Sequence, residues 1–303
     1  MRIESFISVS KQSFIQSFLD YCYLKKHFSR HTLDNYERDL SKLVLYAKDH
    51  RIQLMTFNKH HCREFISLES CMGQSNRTLC RRISAYRTFW DYLQLQKYVN
   101  ENPWRLIRLP KIATILPKII PTKAMISFLD NISMATPIGF RNRVICECLY
   151  GIGLRVSELT LLKVSDINLT QGDCRIIGKR DKERIAIIGD ITKQIINLYL
   201  KEVRPLWSKT NSKTLIVNRA GEPVSTRTIQ RVVKQCSFEQ GLNPPLTPHV
   251  LRHCYASDLY KGGVDISMIK ELLGHDHVST TEIYTHVAID ELKETITVAH
   301  PHG

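Results

Sequence analysis

Acidic residues are scarce in this 303-residue chain. Only 29 Asp and Glu stand against 43 Lys and Arg, a formal net charge of +14 at pH 7. That balance points to a polyanionic partner: DNA, RNA or an acidic membrane surface. No apolar run approaches the roughly 20 residues a membrane span needs. The opening "MRIESFISVSKQSF" lacks a basic segment followed by a long apolar one, so export is not expected and a cytoplasmic location is. CxxC pairs are absent. The nine cysteines are scattered, and Cys146 and Cys148 flank a single residue, which is poor spacing for zinc. They read as reduced thiols. "HHC" at His60–Cys62 has no second ligand pair at useful spacing and reads as a polar helix start. A Walker loop and an Asp/Glu metal cluster are missing too. The commonest routes to activating a phosphoryl group with Mg²⁺ are thereby excluded, and no cofactor is expected.

What is present is basic along its whole length. Residues 1–110 hold 18 basic and 10 acidic side chains; residues 111–303 hold 25 and 19. A basic tail would have loaded one end. Here both halves are suited to the same polyanion. The length favours two domains. The first hundred residues read as helices. "SRHTLDNYERDLSKLVLYAKDH" sets Leu33, Tyr36, Leu40, Leu43 and Val44 at helical spacing after a polar entry. "SNRTLCRRISAYRTFWDYLQLQ" does the same with Leu79, Ile83, Tyr86, Trp90 and Leu93. Arg77, Arg81, Arg82 and Arg87 ride on that helix, either as a solvated basic face or as candidate DNA contacts.

Prolines 103, 110, 117 and 121 then exclude a long helix. They predict a helical domain over 1–103, an extended linker over 104–118 and a second domain over 119–303. That second domain is mixed. "DCRIIGKRDKERIAIIG" has apolar and β-branched residues on both sides of a charged centre, which predicts a β-hairpin with its tip near Arg180–Asp181. Helical patterns surround it, so the fold class is mainly α with a small β-sheet.

Four segments could carry chemistry. In "TPHVLRH", Thr247 suits an N-cap and Pro248 the first helical position. His249 and Arg252 follow in the first turn, opposite a core stripe of Leu251, Tyr255 and Leu259. A cation is unfavourable at a helix start unless an anion sits beside it. That anion could be a bound ligand or a nearby carboxylate. In "GIGLRVSEL", Gly151 and Gly153 end one helix and Arg155 opens the next, with Glu158 placed to pair with it. Lys179, Arg180, Lys182 and Arg184 are either a solvated turn or a basic finger. In "LLGHDHVSTTEIYTHV", Gly274 is a helix C-cap, His275 follows in a loop, and Ser279–Glu282 is a capping box for a helix holding Tyr284. Spacing alone leaves Tyr284 an ordinary packing residue.

Together the set could cleave a phosphodiester without metal. Arginines would hold the non-bridging oxygens, a tyrosine would attack covalently, and a lysine or histidine would protonate the leaving oxygen.

"GLRVSEL", "GK" on a hairpin followed by "KER", "HVLRH", "LLGH" and "TTEIYTHV" occur in the order and spacing of the tyrosine recombinases. The sequence resembles their Xer subfamily over nearly the whole chain. The N-terminal "SRHTLDNYERDL", "SNRTLCRRISAYRTFWDYL" and "NPWRLIRLPK" resemble the family's SAM-like core-binding domain. "SDINLTQG", "TPHVLRH" and "YTHVAIDELKE" look more like the XerD branch than the XerC branch. The resemblance implies a two-domain clamp on DNA whose second domain is an α+β catalytic domain. It implies that Arg155 and Arg252 hold the scissile phosphate and that Lys179 is the general acid toward the 5′-oxygen. His249 would assist proton transfer at the nucleophile, His275 would hydrogen-bond the phosphate, and Tyr284 would form a 3′-phosphotyrosyl bond. Glu158 matches an acidic position behind the arginines. The implied partners are double-stranded DNA with a dif-like site, a XerC-like recombinase in a heterotetramer, and the FtsK translocase. The C-terminal helix, around Asp290 to Val298, would dock on a neighbouring protomer.

Two departures stand out. Arg180 replaces the family's second hairpin glycine, which bears on the aim of Lys179. Ala256-Ser257-Asp258-Leu259 replaces Ala-Thr-His-Leu. A phage or mobile-element integrase, and a non-catalytic DNA-binding protein of the same fold, are the alternatives. A type IB topoisomerase shares the chemistry, but the N-terminal segments and "YTHV" favour a recombinase.

Overall fold

Helix caps and apolar stripes set the architecture. The computed structural model describes residues 3–112, 120–178, 183–207, 212–274 and 295–302, with side chains from residue 14 onward. Two compact units divide the chain, Met1–Leu116 and Pro117–Gly303.

The first unit is helical: α1 (Ile3–Leu24), α2 (Arg30–Asp49), α3 (Lys59–Cys71) and α4 (Asn76–Leu95). Ser29 and Ser75 cap α2 and α4 by accepting from the N–H groups of Thr32 and Thr78. Leu79, Ile83, Tyr86, Trp90 and Leu93 are all buried on α4, the stripe that the spacing predicts. Ile83, Tyr86, Trp90 and Leu93 pack in one core with Leu40 and Leu43 of α2 and Phe18 of α1. "HHC" does open a helix: Asn58 caps α3, and Cys62 is buried. Trp104 and Ile107, within the expected linker, are buried in this core. Pro103 starts a 3₁₀ turn (Pro103–Leu106) that drives Trp104, fully buried, against Tyr86 and Trp90. A large apolar ring next to a basic stretch gains more from the core than from solvent.

The second unit adds α5 (Thr122–Asp130), α6 (Pro137–Tyr150), α7 (Val156–Leu161), α8 (Asp190–Leu198), α9 (Arg204–Trp207), α10 (Thr226–Glu239), α11 (Pro248–Lys261) and α12 (Ile266–Leu273). Its sheet is antiparallel in the order β1 (Ile167–Asn168), β2 (Asp173–Ile177), β3 (Glu183–Ile187). The β2–β3 pair is the hairpin read from the sequence, in register Ile177↔Glu183 through Asp173↔Ile187. β1 was not foreseen; two residues carry no periodicity. Cys174 and Ile176 face the core, while Arg175 and Ile177 face outward. Opposite Cys174 and Ile176 stand Ala186 and Arg184, so Arg184 shares the inner face.

The last described residues pack partly into this chain's own second unit. Ile296, His300 and His302 are buried within this chain's second unit. His302 Nδ1 lies 2.9 Å from Glu147 Oε2, and His300 packs on the rings of Tyr150 and Tyr255. Burial and the neighbouring His302 push the His300 imidazole down to about 3, so it packs neutral. Residues 290–294 of the expected docking helix lie outside the described residues.

Candidate active site

Each candidate arginine is placed by a helix start. Thr247 accepts from the N–H of Val250 and Pro248 opens α11, as its sequence predicts. His249 is then exposed in the first turn, and Arg252 is 8% exposed beside the stripe of Leu251, Tyr255 and Leu259. Arg155 is the N-cap of α7 with extended backbone, and its side chain is 31% exposed. Arg155 therefore forms the rim of the site and Arg252 its floor.

Glu158 lies beneath both. It is buried, yet three arginines converge on it. Arg155 donates from its backbone N–H to Oε2 at 2.8 Å and from Nη1 to Oε1 at 2.7 Å. Arg184 donates a planar fork, Nη1 to Oε1 at 2.8 Å and Nη2 to Oε2 at 2.9 Å. Arg252 Nη1 is 3.6 Å from Oε2. Burial alone would raise the Glu158 carboxyl; the Arg184 fork and the Arg155 bonds outweigh it and bring it down to about 2. The surface Arg155–Glu158 pair that the sequence allows is thus part of a larger buried cluster.

The same arginines also cap α12. Its last carbonyls have no intrahelical partners and carry the negative end of the helix dipole. Arg184 Nε donates to Leu272 O at 2.9 Å, Arg252 Nη2 to Leu273 O, and Arg155 Nη2 to Gly274 O at 2.7 Å. Three successive carbonyls each take a different arginine. Two glycines make this approach possible. Gly274 ends α12 at φ 63°, a left-handed C-cap. Gly153, at φ 70°, accepts from Arg252 Nη1 through its carbonyl, and a Cβ there would lie 2.4 Å from the Tyr255 ring.

Three guanidinium groups share one carboxylate, so the cluster keeps an excess of positive charge in a poorly solvated place. Arg252 reports it: burial first, then the charge of Arg155, lowers its guanidinium to about 10 despite Glu158. Such a site is short of one more anion. A phosphate with two non-bridging oxygens matches what guanidinium forks bind.

The structure brings Arg155 and Arg252 together. His249 stands exposed in the adjacent first turn, with no side-chain hydrogen bond or ion pair to a described residue. Lys179, His275 and Tyr284 lie outside the described residues. Arg184 was missed as part of this cluster, although the alternation of Cys174 and Ile176 across the hairpin could have marked its inward register. The four arginines of α4 divide. Arg82 is buried and ion-paired with Asp39 and Glu69; Arg81 is bidentate on Asp39; Arg87 donates to Trp104 O at 3.1 Å and Ile107 O at 2.6 Å. These three hold the first unit together, and their donors are turned toward protein acceptors. Arg77 alone of the four is exposed without an ion pair among the described residues. A clearer basic face is on α10, where Arg227, Arg231 and Lys234 are exposed at helical spacing behind the Ser225 cap. None of the three forms an ion pair with a described residue.

Residues 120–291 match the sequence profile of the Phage integrase family, and residues 15–97 match the Phage integrase N-terminal SAM-like domain. The chain belongs to the tyrosine recombinases. "Tyrosine recombinase XerD" of Staphylococcus epidermidis is 34% identical to it over 291 residues, 95% of this chain and 99% of the relative. The protein of the same name from Staphylococcus aureus is 33% identical over 294 residues, 96% and 100% of the two chains. Among solved structures, the XerH site-specific recombinase bound to palindromic difH substrate superimposes with a TM-score of 0.68 at 24% identity. That alignment covers 94% of this chain and 84% of that one, and shows the shared fold. This recombinase is therefore a site-specific DNA-recombining enzyme of XerD type that binds DNA. No described helix is long and apolar enough to cross a membrane.

Proposed function

We propose that this recombinase cuts and rejoins DNA at a dif-like site through a 3′-phosphotyrosyl bond on Tyr284, with Arg155 and Arg252 as the phosphate clamp. The observation that carries the reading is the arginine cluster itself. Two residues at separate helix starts converge on one buried carboxylate and leave an unneutralised positive charge. The Tyr284 hydroxyl oxygen attacks phosphorus as the bond to the 5′-oxygen breaks. Lys179 gives its proton to that oxygen, and His249 assists removal of the phenolic proton. His275 and the arginines hold the non-bridging oxygens as charge develops there. In the second half the 5′-hydroxyl of another strand attacks the phosphotyrosine and frees Tyr284. The ester keeps the bond energy, so rejoining needs no ATP. Chromosome-dimer resolution in the cytoplasm, a XerC-like partner in a heterotetramer and stimulation by FtsK complete the reading. Its support is likeness to XerD relatives over nearly their whole length.

The test is a duplex carrying a dif-like site with a nick beside the scissile phosphate, so that the cut fragment diffuses away. The expected result is a covalent protein–DNA adduct on a denaturing gel, absent in Tyr284→Phe while DNA affinity is retained. Binding without an adduct, with a partner recombinase supplied, would favour the binding-only alternative.

The exposed cations of α10 give a second expectation. Affinity should fall steeply with salt, each neutralised phosphate adding about 0.9 to the log–log slope, and substituting Arg227, Arg231 and Lys234 together by alanine should flatten it by about 2–3. An unchanged slope in a gel-shift titration would remove α10 from the DNA interface.

A further inference from the structure

We infer that Arg184 is a positioning residue of the cleavage site. Through Glu158 and the end of α12 it sets the aim of the phosphate-holding Arg155 and Arg252, and this rests on reading those two as the clamp. The side chains of Arg155 and Arg252 bond to described acceptors through Nη1 and Nη2 alone, whereas Arg184 also commits Nε. Its Nε, Nη1 and Nη2 are all directed at protein acceptors: Leu272 O at 2.9 Å and the two Glu158 oxygens at 2.8 and 2.9 Å. Its side chain is 9% exposed. A guanidinium so engaged is not offered to a ligand. It instead fixes both oxygens of the carboxylate in one plane, and the same oxygens receive the backbone N–H and Nη1 of Arg155. The orientation of Arg155 is thus inherited from that of Glu158, which Arg184 holds.

Its place in the chain makes it a tie between elements. Arg184 is on the inner face of β3, across from Ile176. β3 starts immediately after the segment containing Lys179, Glu158 belongs to α7, and Leu272 is in the last turn of the helix that precedes His275. One side chain bonds to, or stands on, the described ends of three segments that lead into proposed catalytic residues. Gly274 packs beside it; a Cβ there would stand 3.1 Å from Arg184 Cδ. Lysine cannot replace it, because an ammonium has no planar fork and cannot serve a bidentate carboxylate and a carbonyl in fixed directions.

The test compares wild type with Arg184→Lys on the nicked duplex, measuring affinity, thermal stability and single-turnover cleavage at saturating protein. A second substrate carries a methylphosphonate at the scissile position, which removes one non-bridging charge and so the need for well-aimed arginines. For Arg184→Lys we expect cleavage of the phosphate to fall by about 10²-fold with affinity within about twofold, and the deficit to shrink by about tenfold or more on the methylphosphonate. Wild-type cleavage by Arg184→Lys would overturn the inference. So would an equal deficit on both substrates, or outright unfolding, since either marks a general structural role. Absence of any wild-type adduct would instead defeat the clamp reading, and is seen before a variant is compared.

Discussion

Arg252→Ala is expected, under the proposed clamp, to reduce single-turnover DNA cleavage by about 10³-fold or more, because a buried guanidinium that meets the developing phosphate charge would have no solvent substitute. Arg252 is the floor of the cluster. It is 8% exposed, donates to Gly153 O and Leu273 O, and has its guanidinium lowered to about 10 by burial and by Arg155. A bound phosphate would relieve that strain of charge, so the interaction should be stronger in the reacting complex than in the free protein. Arg252→Lys should recover only part of the loss, since it restores charge without the fork. The measurement is the rate of adduct formation on the nicked duplex, with folding checked by circular dichroism. A loss smaller than about tenfold in Arg252→Ala would place the scissile phosphate elsewhere.

Glu158→Ala is expected to give the largest loss of stability. It would leave Arg155, Arg184 and Arg252 facing one another with no carboxylate, and uncovering buried charge in this way costs about 3–5 kcal/mol. For a unit of this size that is a fall in Tm of roughly 10 °C. The same group makes a pH prediction. Glu158 is held down to about 2 from its ordinary 4.5, so its contribution is complete above pH 4.5 and is lost as pH falls through 4.5 toward 2. The shift is worth about 3 kcal/mol as an order of magnitude. Urea midpoints for wild type should drop across that window, whereas Glu158→Gln, which keeps shape without charge, should start lower and drop less. Equal midpoints and equal pH slopes in the two proteins would show that Glu158 is not the counter-charge.

Local chemistry was legible in the sequence; long-range pairing was not. The stripe of α4, the Thr247–Pro248 start of α11 and the left-handed Gly274 cap follow from rules confined to one turn of helix or one strand. The arginines at the starts of α7 and α11 stood out for a related reason: a cation at the positive end of a helix demands an anion. The structure supplies that anion as Glu158 and as the last carbonyls of α12, more than a hundred residues further along the chain from Arg155. No spacing rule could find those carbonyls. Arg184 was hidden because four cations around a hairpin tip look alike until the register separates inward from outward. On α4, too, the partners lie far along the chain. Arg81, Arg82 and Arg87 resemble a DNA-facing stripe, but Asp39, Glu69 and the carbonyls of Trp104 and Ile107 take their donors. Prolines 103 and 110 give the neighbourhood of Trp104 the look of a linker, although one buried ring outweighs them.

The central claim is that this arginine cluster serves covalent chemistry at Tyr284. The most direct measurement is to isolate the adduct from the nicked duplex, digest it with protease and nuclease, and identify by mass spectrometry which residue carries the nucleotide and through which end. The account predicts a peptide containing Tyr284 esterified through a 3′-phosphate. A nucleotide on any other residue, or one joined through a 5′-phosphate, would contradict it.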